Sequence, residues 1–165
     1  MKAIRESFMV QSKGGRPTFH DVTGKVQEIL ERSGVKCGVC IVYTHHTTCS
    51  VMTQECSFDM TYNNLEYLQQ DLLDIFEKLV PTCRKEGQYM HPGPELTEFA
   101  RKQGESKSQT LNTDAHLRSV FIGRNESIPI IDGKPDLGSY GHIYFIDFDQ
   151  TCAREREVQV QIIGE

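Results

Sequence analysis

Hydrophobic positions along the chain change their period several times, and each change marks an element. From Ala3 to Gln11 the residues alternate, with Ile4, Phe8 and Val10 on one side, the pattern of a half-buried strand. Ser12 to Pro17 has the composition of a turn or loop. Val22, Val26, Ile29 and Leu30 then recur at helical spacing, with Thr18 or Asp21 available as a cap and Gly34 placed as a left-handed terminator. Val39 to Val42 is an unbroken apolar run and reads as a buried strand, and Thr48 to Thr53 alternates again. Met60 to Val80 carries Leu65, Leu68, Leu72, Ile75, Phe76 and Leu79 at spacings of three and four. That spacing predicts the longest helix, closed by Pro81 and packed on a sheet containing Val39–Tyr43.

Beyond Pro81 the periodicity lapses into a polar excursion through Leu111, whose Gln88–Leu111 part holds one short helical stretch, Pro94 to Lys102. A connection this long in a compact domain reads as a lid or an ordered surface segment. Asn112-Thr113-Asp114 can cap a helix over Ala115–Ile122 that stops at Gly123. From Ile128 the pattern turns to strands: Ile128–Ile131, a turn at Asp132-Gly133, Leu137–Tyr140, His142–Phe148 and Arg154–Ile163, arranged as a meander. Strands on both sides of a helical middle give an α+β class, with mixed or antiparallel β-sheets packed with helices in a single domain, residues 1–165.

Composition narrows the functional classes. A net charge of −5 and no tryptophan argue against a nucleic-acid-binding surface, while leaving room for a local basic pocket. No apolar run approaches the roughly 20 residues that span a bilayer, and no signal segment follows Met1. The six cysteines therefore read as reduced thiols of a cytoplasmic protein. Cys37-Gly38-Val39-Cys40 has redox-motif spacing but leads into a strand, so it reads as structural.

The candidate chemistry is concentrated where the Val39–Val42 strand gives way to Tyr43-Thr44-His45-His46-Thr47-Thr48. Extended backbone would turn His45 and His46 to opposite faces, and His46, followed by two threonines, is the one expected to face a pocket. His116 falls in the first turn of its helix, where the dipole draws anions and favours neutral imidazole. With His91 these two histidines form a candidate set of three metal ligands with an open position. Their irregular spacing, with no short helical pairing, favours the alternative of ordinary surface or hydrogen-bonded histidines. Glu55 and Asp147, each at a strand end, are candidate acids or bases or simply solvated rims. Gly138-Ser139-Tyr140-Gly141-His142 permits close backbone approach to a ligand, or is a plain hairpin turn.

Taken in order, His46-Thr47-Thr48-Cys49-Ser50 with Glu55, Tyr89-Met90-His91, Asn112 to Arg118 with Gly123, Leu137 to Tyr140, and Arg154-Glu155-Arg156 resemble the YjbQ-like family. It is also called the secondary thiamine-phosphate synthase family. The resemblance runs from about Val35 to the C-terminus. It implies a homotrimer and an ability to join the two halves of thiamine phosphate. It also implies a pocket of His46, His91 and His116, with Thr47, Thr48, Asn112 and Ser139 around a small phosphorylated molecule, and a divalent ion (Zn or Mg). The chain departs from the family pattern at Cys56-Ser57-Phe58-Asp59, at Tyr62-Asn63-Asn64, at Gly141 and in the long linker from His91 to Asn112. Three readings follow. One is a transferase with His46, His116 and Glu55 as catalytic residues; another is a metal-assisted hydrolase with Glu55 as base; the third is a non-enzymatic trimer binding metal or anion.

Overall fold

The computed structural model describes residues 1–165 and divides the strands between two antiparallel sheets. The first is ordered β1 (Lys2–Gln11), β8 (Glu155–Gly164), β3 (Gly38–Tyr43), β5 (Asn125–Ile131) and β6 (Lys134–Pro135). The second has β7 (Gly141–Asp147) between β2 (Thr18–Asp21) and β4 (Cys49–Glu55). Cys40, Val42, Val158, Val160 and Ile162 of the first sheet meet Cys49, Val51, Ile143 and Phe145 of the second in one core. The helix α1 (Thr23–Ser33) adds Val22, Val26, Ile29 and Leu30 to that core. Gly34 ends it with φ +66°, as its position in the pattern predicts. The Asp21 carboxylate accepts the Thr23 N–H at 2.9 Å, although Val22 is the capping residue.

The second sheet is covered on its outer face as well. Met52, Tyr144, Ile146 and Phe148 pack with Phe76 of α2 (Tyr67–Leu79) and Ala115 of α4 (Thr113–Ile122). Burial on both faces explains why Cys49 to Met52 are all buried despite their alternating sequence. It also corrects the expected packing of the long helix: α2 lies on the sheet of β4 and β7, not on that of Val39–Tyr43. α2 is shorter than its periodicity suggests. Asn64 adopts φ +58° and the Thr61 N–H bonds the Leu65 carbonyl, so a turn occupies residues that the pattern assigns to helix. Glu66 then caps α2 through reciprocal bonds with Gln69.

The expected C-terminal meander is corrected too. Leu137–Tyr140 is turn and loop, β5 pairs with β3, and β8 inserts between β1 and β3. The excursion holds α3 (Gly93–Lys102) and a single 3-10 turn at Lys107–Thr110. All six cysteines are free thiols. No helix is long and apolar enough to cross a membrane.

Candidate functional site

Two strand starts, two strand ends and one helix start meet at one end of the sandwich. β3 ends at Tyr43, and Thr44–Thr48 turn the chain into β4. Thr44 is fully buried and donates its hydroxyl to the Glu157 carbonyl at 3.1 Å, which ties this turn to the start of β8. Alternation of side chains holds only while backbone stays extended. In the turn it fails: His45 and His46 line the same cavity, their rings 4.3 Å apart. The expectation that only one of them faces the pocket is therefore corrected.

That cavity measures about 300 Å³ and has no hydrophobic lining. Its floor is a network of arginine and carboxylate from β7 and β8. Arg156 donates from Nε to Asp147 Oδ2 at 2.7 Å and from its terminal nitrogen to Asp147 Oδ1 at 3.3 Å, with Asp147 fully buried. The same guanidinium donates to Thr48 Oγ1 at 3.1 Å. A buried bidentate pair of this kind fixes the plane of the guanidinium. Asp149 stands between the two arginines, its Oδ2 lying 3.3 Å from Arg154 Nε and 3.7 Å from Arg156. Its Oδ1 accepts the Thr151 N–H at 2.9 Å, so its orientation is set by its own turn.

α4 supplies the opposite wall. No side chain caps it: the Asn112 amide turns instead to Asp149 Oδ2 at 3.3 Å. The expected cap is thus replaced by a bond across the cavity, and first-turn N–H groups keep the positive end of the dipole there. His116 lines the cavity one turn on, with His91 behind it at 5.2 Å between ring centres, edge to face. The Thr113 hydroxyl donates to the His91 carbonyl at 2.9 Å, so it must accept from His91 Nδ1 at 3.0 Å. His91 therefore carries its proton on Nδ1 and is bare at Nε2.

His46 has the reverse arrangement. Its Nε2 accepts the Glu157 backbone N–H at 3.0 Å, which leaves the proton on Nδ1. Burial lowers the pKa of His116, and repulsion from His91 lowers it further, while the Thr47 carbonyl and Asp149 pull it back. Burial and the Arg156 charge lower that of His46; burial lowers that of His91. All three imidazoles are neutral near pH 7.

The other sequence candidates separate into two places. Thr47, Thr48 and Asn112 line the cavity with His46 and His116. Glu55 and Ser139 do not: Glu55 pairs with Gly141 at the far end of β4, and the Cys56 N–H bonds the Tyr140 carbonyl beside Ser139. Six residue steps of strand separate Glu55 from Cys49, roughly 20 Å. No three His, Cys, Asp or Glu side chains are grouped to hold a metal ion. With His46 Nε2 spent on a backbone N–H and His91 behind His116, the three imidazoles as arranged do not fit a three-nitrogen centre.

Asp149 and Arg154, absent from the candidates above, do carry a signal in the sequence. Asp147-Phe148-Asp149 and Arg154-Glu155-Arg156 each repeat a charge at a spacing of two, which in extended backbone places both charges on one face. Glu105 gave no such signal, because only the folding of the excursion brings it to the cavity.

Comparison with known proteins places the chain in a family. The chain is 30% identical over 166 residues to a UPF0047 protein of Methanocaldococcus jannaschii, covering 100% of this chain and 99% of that one. It is 28% identical to a UPF0047 protein of Synechocystis, covering 98% and 92%. Among solved structures, a hypothetical protein of Aeropyrum pernix superposes with a TM-score of 0.73 at 28% identity, covering 98% and 99%. A YbjQ-like protein of Sulfolobus solfataricus at 22% identity shares the fold, with a TM-score of 0.71 over 99% and 100% of the two chains. The model of the family described as UPF0047 protein YjbQ-like matches residues 6–165, and the chain belongs to that family.

Proposed function

We propose that the cavity between the Thr44–Thr48 turn, the α4 N-terminus and the start of β8 binds the phosphate or pyrophosphate of a small molecule. The chain then acts as a transferase resembling secondary thiamine-phosphate synthase. The observation that carries this reading is the lining itself. It is wholly polar and brings Arg154, Arg156, the His46 Nδ1–H and the Thr48 hydroxyl to one space of about 300 Å³ beside a helix N-terminus.

Joining the two halves of thiamine phosphate breaks a carbon–oxygen bond to pyrophosphate and forms a carbon–nitrogen bond to the thiazole. The electron pair of the broken bond leaves with the pyrophosphate, so negative charge grows on the leaving oxygens. Fixed donors aimed at that charge lower the barrier, because they need no reorganisation when it develops. Arg156, locked by Asp147, is such a donor. Neutral His116 orients the ligand and accepts a proton where one is released. Glu55 is too far to act as a base here, which favours the transferase over the hydrolase.

The test is to incubate the protein with the pyrimidine pyrophosphate and the thiazole phosphate, and to measure thiamine phosphate by mass. Product made by the parent chain and lost in His116→Gln supports the transferase. Pyrophosphate binding without product in any condition leaves a non-enzymatic anion binder instead.

A further inference from the structure

We propose that Glu105 is an internal occupant of the anion site, and that a ligand's phosphate must displace its carboxylate from Arg154 to bind. This inference rests on the phosphate reading above.

The argument begins with charge. Two arginines, Arg154 and Arg156, face the cavity, and three carboxylates lie on them: Asp147, Asp149 and Glu105. With all three in place the cluster is one negative charge in excess and repels an anion. Without Glu105 it is balanced, and the His46 N–H and the α4 N-terminus tip it toward anion binding.

The three carboxylates differ in how they are held. Asp147 is fully buried and bidentate on Arg156, and accepts the Asp149 N–H at 3.0 Å. Asp149 is buried, with Thr151 and Asn112 bonded to it. Neither can leave without exposing an unpaired buried charge. Glu105 has a single partner, Arg154 at 3.1 Å, and its side chain is 37% exposed. An ion pair that exposed contributes little, so its exchange for a phosphate is easy.

The backbone allows the exchange. Glu105 follows Gly104, at φ +86°, in the link between α3 and the 3-10 turn. The excursion is anchored elsewhere, by His91 to Thr113 and by the Cys83 N–H to Asp114 at 3.1 Å. Release of Glu105 from Arg154 leaves both anchors intact. The residue therefore acts as a selectivity gate: a ligand must bring enough negative charge to outcompete a carboxylate, as a pyrophosphate does and a neutral molecule does not.

The experiment is calorimetric titration of inorganic pyrophosphate into the full chain, into Glu105→Gln and Glu105→Ala, and into Glu105→Gln combined with Arg154→Gln. Both single variants are expected to bind pyrophosphate about ten-fold tighter or more, and the double variant to lose that gain. A residue that merely propped the excursion would behave in the opposite way, with weaker binding and a lower melting temperature in both single variants. Equal or weaker binding by the single variants, with measurable binding by the parent, overturns the gate and leaves the phosphate reading standing. Absence of binding in all four proteins overturns both.

Discussion

The backbone N–H of Glu157 meets Nε2 of His46 at 3.0 Å, and this one bond decides what the imidazole can do. A ring nitrogen that accepts a hydrogen bond cannot also carry a proton or ligate a metal. His46 is thereby committed to presenting a donor, Nδ1–H, and its lowered pKa keeps it neutral while doing so. Nitrogen chemical shifts of the ring should show an unprotonated Nε2 at pH 7. His46→Gln keeps an acceptor for Glu157, while its amide donor no longer sits where Nδ1–H points into the cavity. It should fold normally and bind pyrophosphate about ten- to a hundred-fold more weakly, the loss of one charge-assisted bond. His46→Ala should in addition lose about 1–3 kcal/mol of stability, because the Glu157 N–H is left unpaired.

Burial along α2 gives a second prediction. Phe76 is buried edge-on against Phe148 at 5.7 Å between ring centres, whereas Ile75 is 52% exposed. Phe76→Ala should cost about 3–5 kcal/mol in urea unfolding. Ile75→Ala should cost less than about 1 kcal/mol. Leu72 is only partly buried, so Leu72→Ala should fall between them. Equal costs for all three would mean that α2 packs on a different face.

These elements show what was legible in the sequence. α1 was read from Val22, Val26, Ile29, Leu30 and Gly34, because one apolar stripe and one left-handed glycine suffice to bound a helix. The start of α2 was not, because Leu65 falls at helical spacing by coincidence while Asn64 has left the helical region. The chain at Thr44–Thr48 reads as extended and folds as a turn for a related reason: alternation of polar residues says nothing of where extended backbone stops. At the site, His46, His116 and Thr48 are legible from local chemistry, and Asn112 from the family resemblance. Glu55 is grouped with them by its place at a strand end and in the family motif, and the seven-residue strand between carries it to the far end of the sheet. Glu105 depends on the path of the excursion, and no local pattern encodes that.

Arg156 and Asp147 provide a prediction about how the cavity floor is held. Arg156→Ala strands a fully buried carboxylate, and should cost about 3–5 kcal/mol of stability as well as ligand affinity. Arg156→Lys keeps the charge but not the two-pronged geometry, and should restore most of the stability while leaving pyrophosphate binding weak. Chemical unfolding and calorimetry of both variants separate the two effects. Full recovery of binding by lysine would show that charge alone matters at this position.

Assembly is open to the same kind of test. On α2 and α4, Leu79, Val120 and Phe121 are 66%, 80% and 67% exposed, apolar side chains that a subunit contact would cover. The family resemblance implies a homotrimer, and we expect sedimentation at three times 18.8 kDa. Phe121→Glu should shift the protein toward monomer if that face lies in the interface. A parent chain that sediments as a monomer at micromolar concentration defeats the expectation, and a variant that stays trimeric moves the interface elsewhere.

The three neutral histidines also set a pH dependence. His46, His91 and His116 each have a folded-state pKa below the ordinary 6.5, chiefly through burial. The unfolded chain therefore binds more protons than the folded one once the pH drops below about 6.5. Stability from these groups is fully present above that value, and declines as pH falls from about 6.5 toward each folded pKa. Carboxylates held low by their partners, such as Glu77 and Asp21, lose their contribution only at more acid pH, so the first decline belongs to histidine. The urea midpoint should thus fall between pH 7.5 and pH 5.5, and by less in His116→Gln than in the parent. If the midpoint falls as far in His116→Gln as in the parent, that imidazole is not among the groups that titrate.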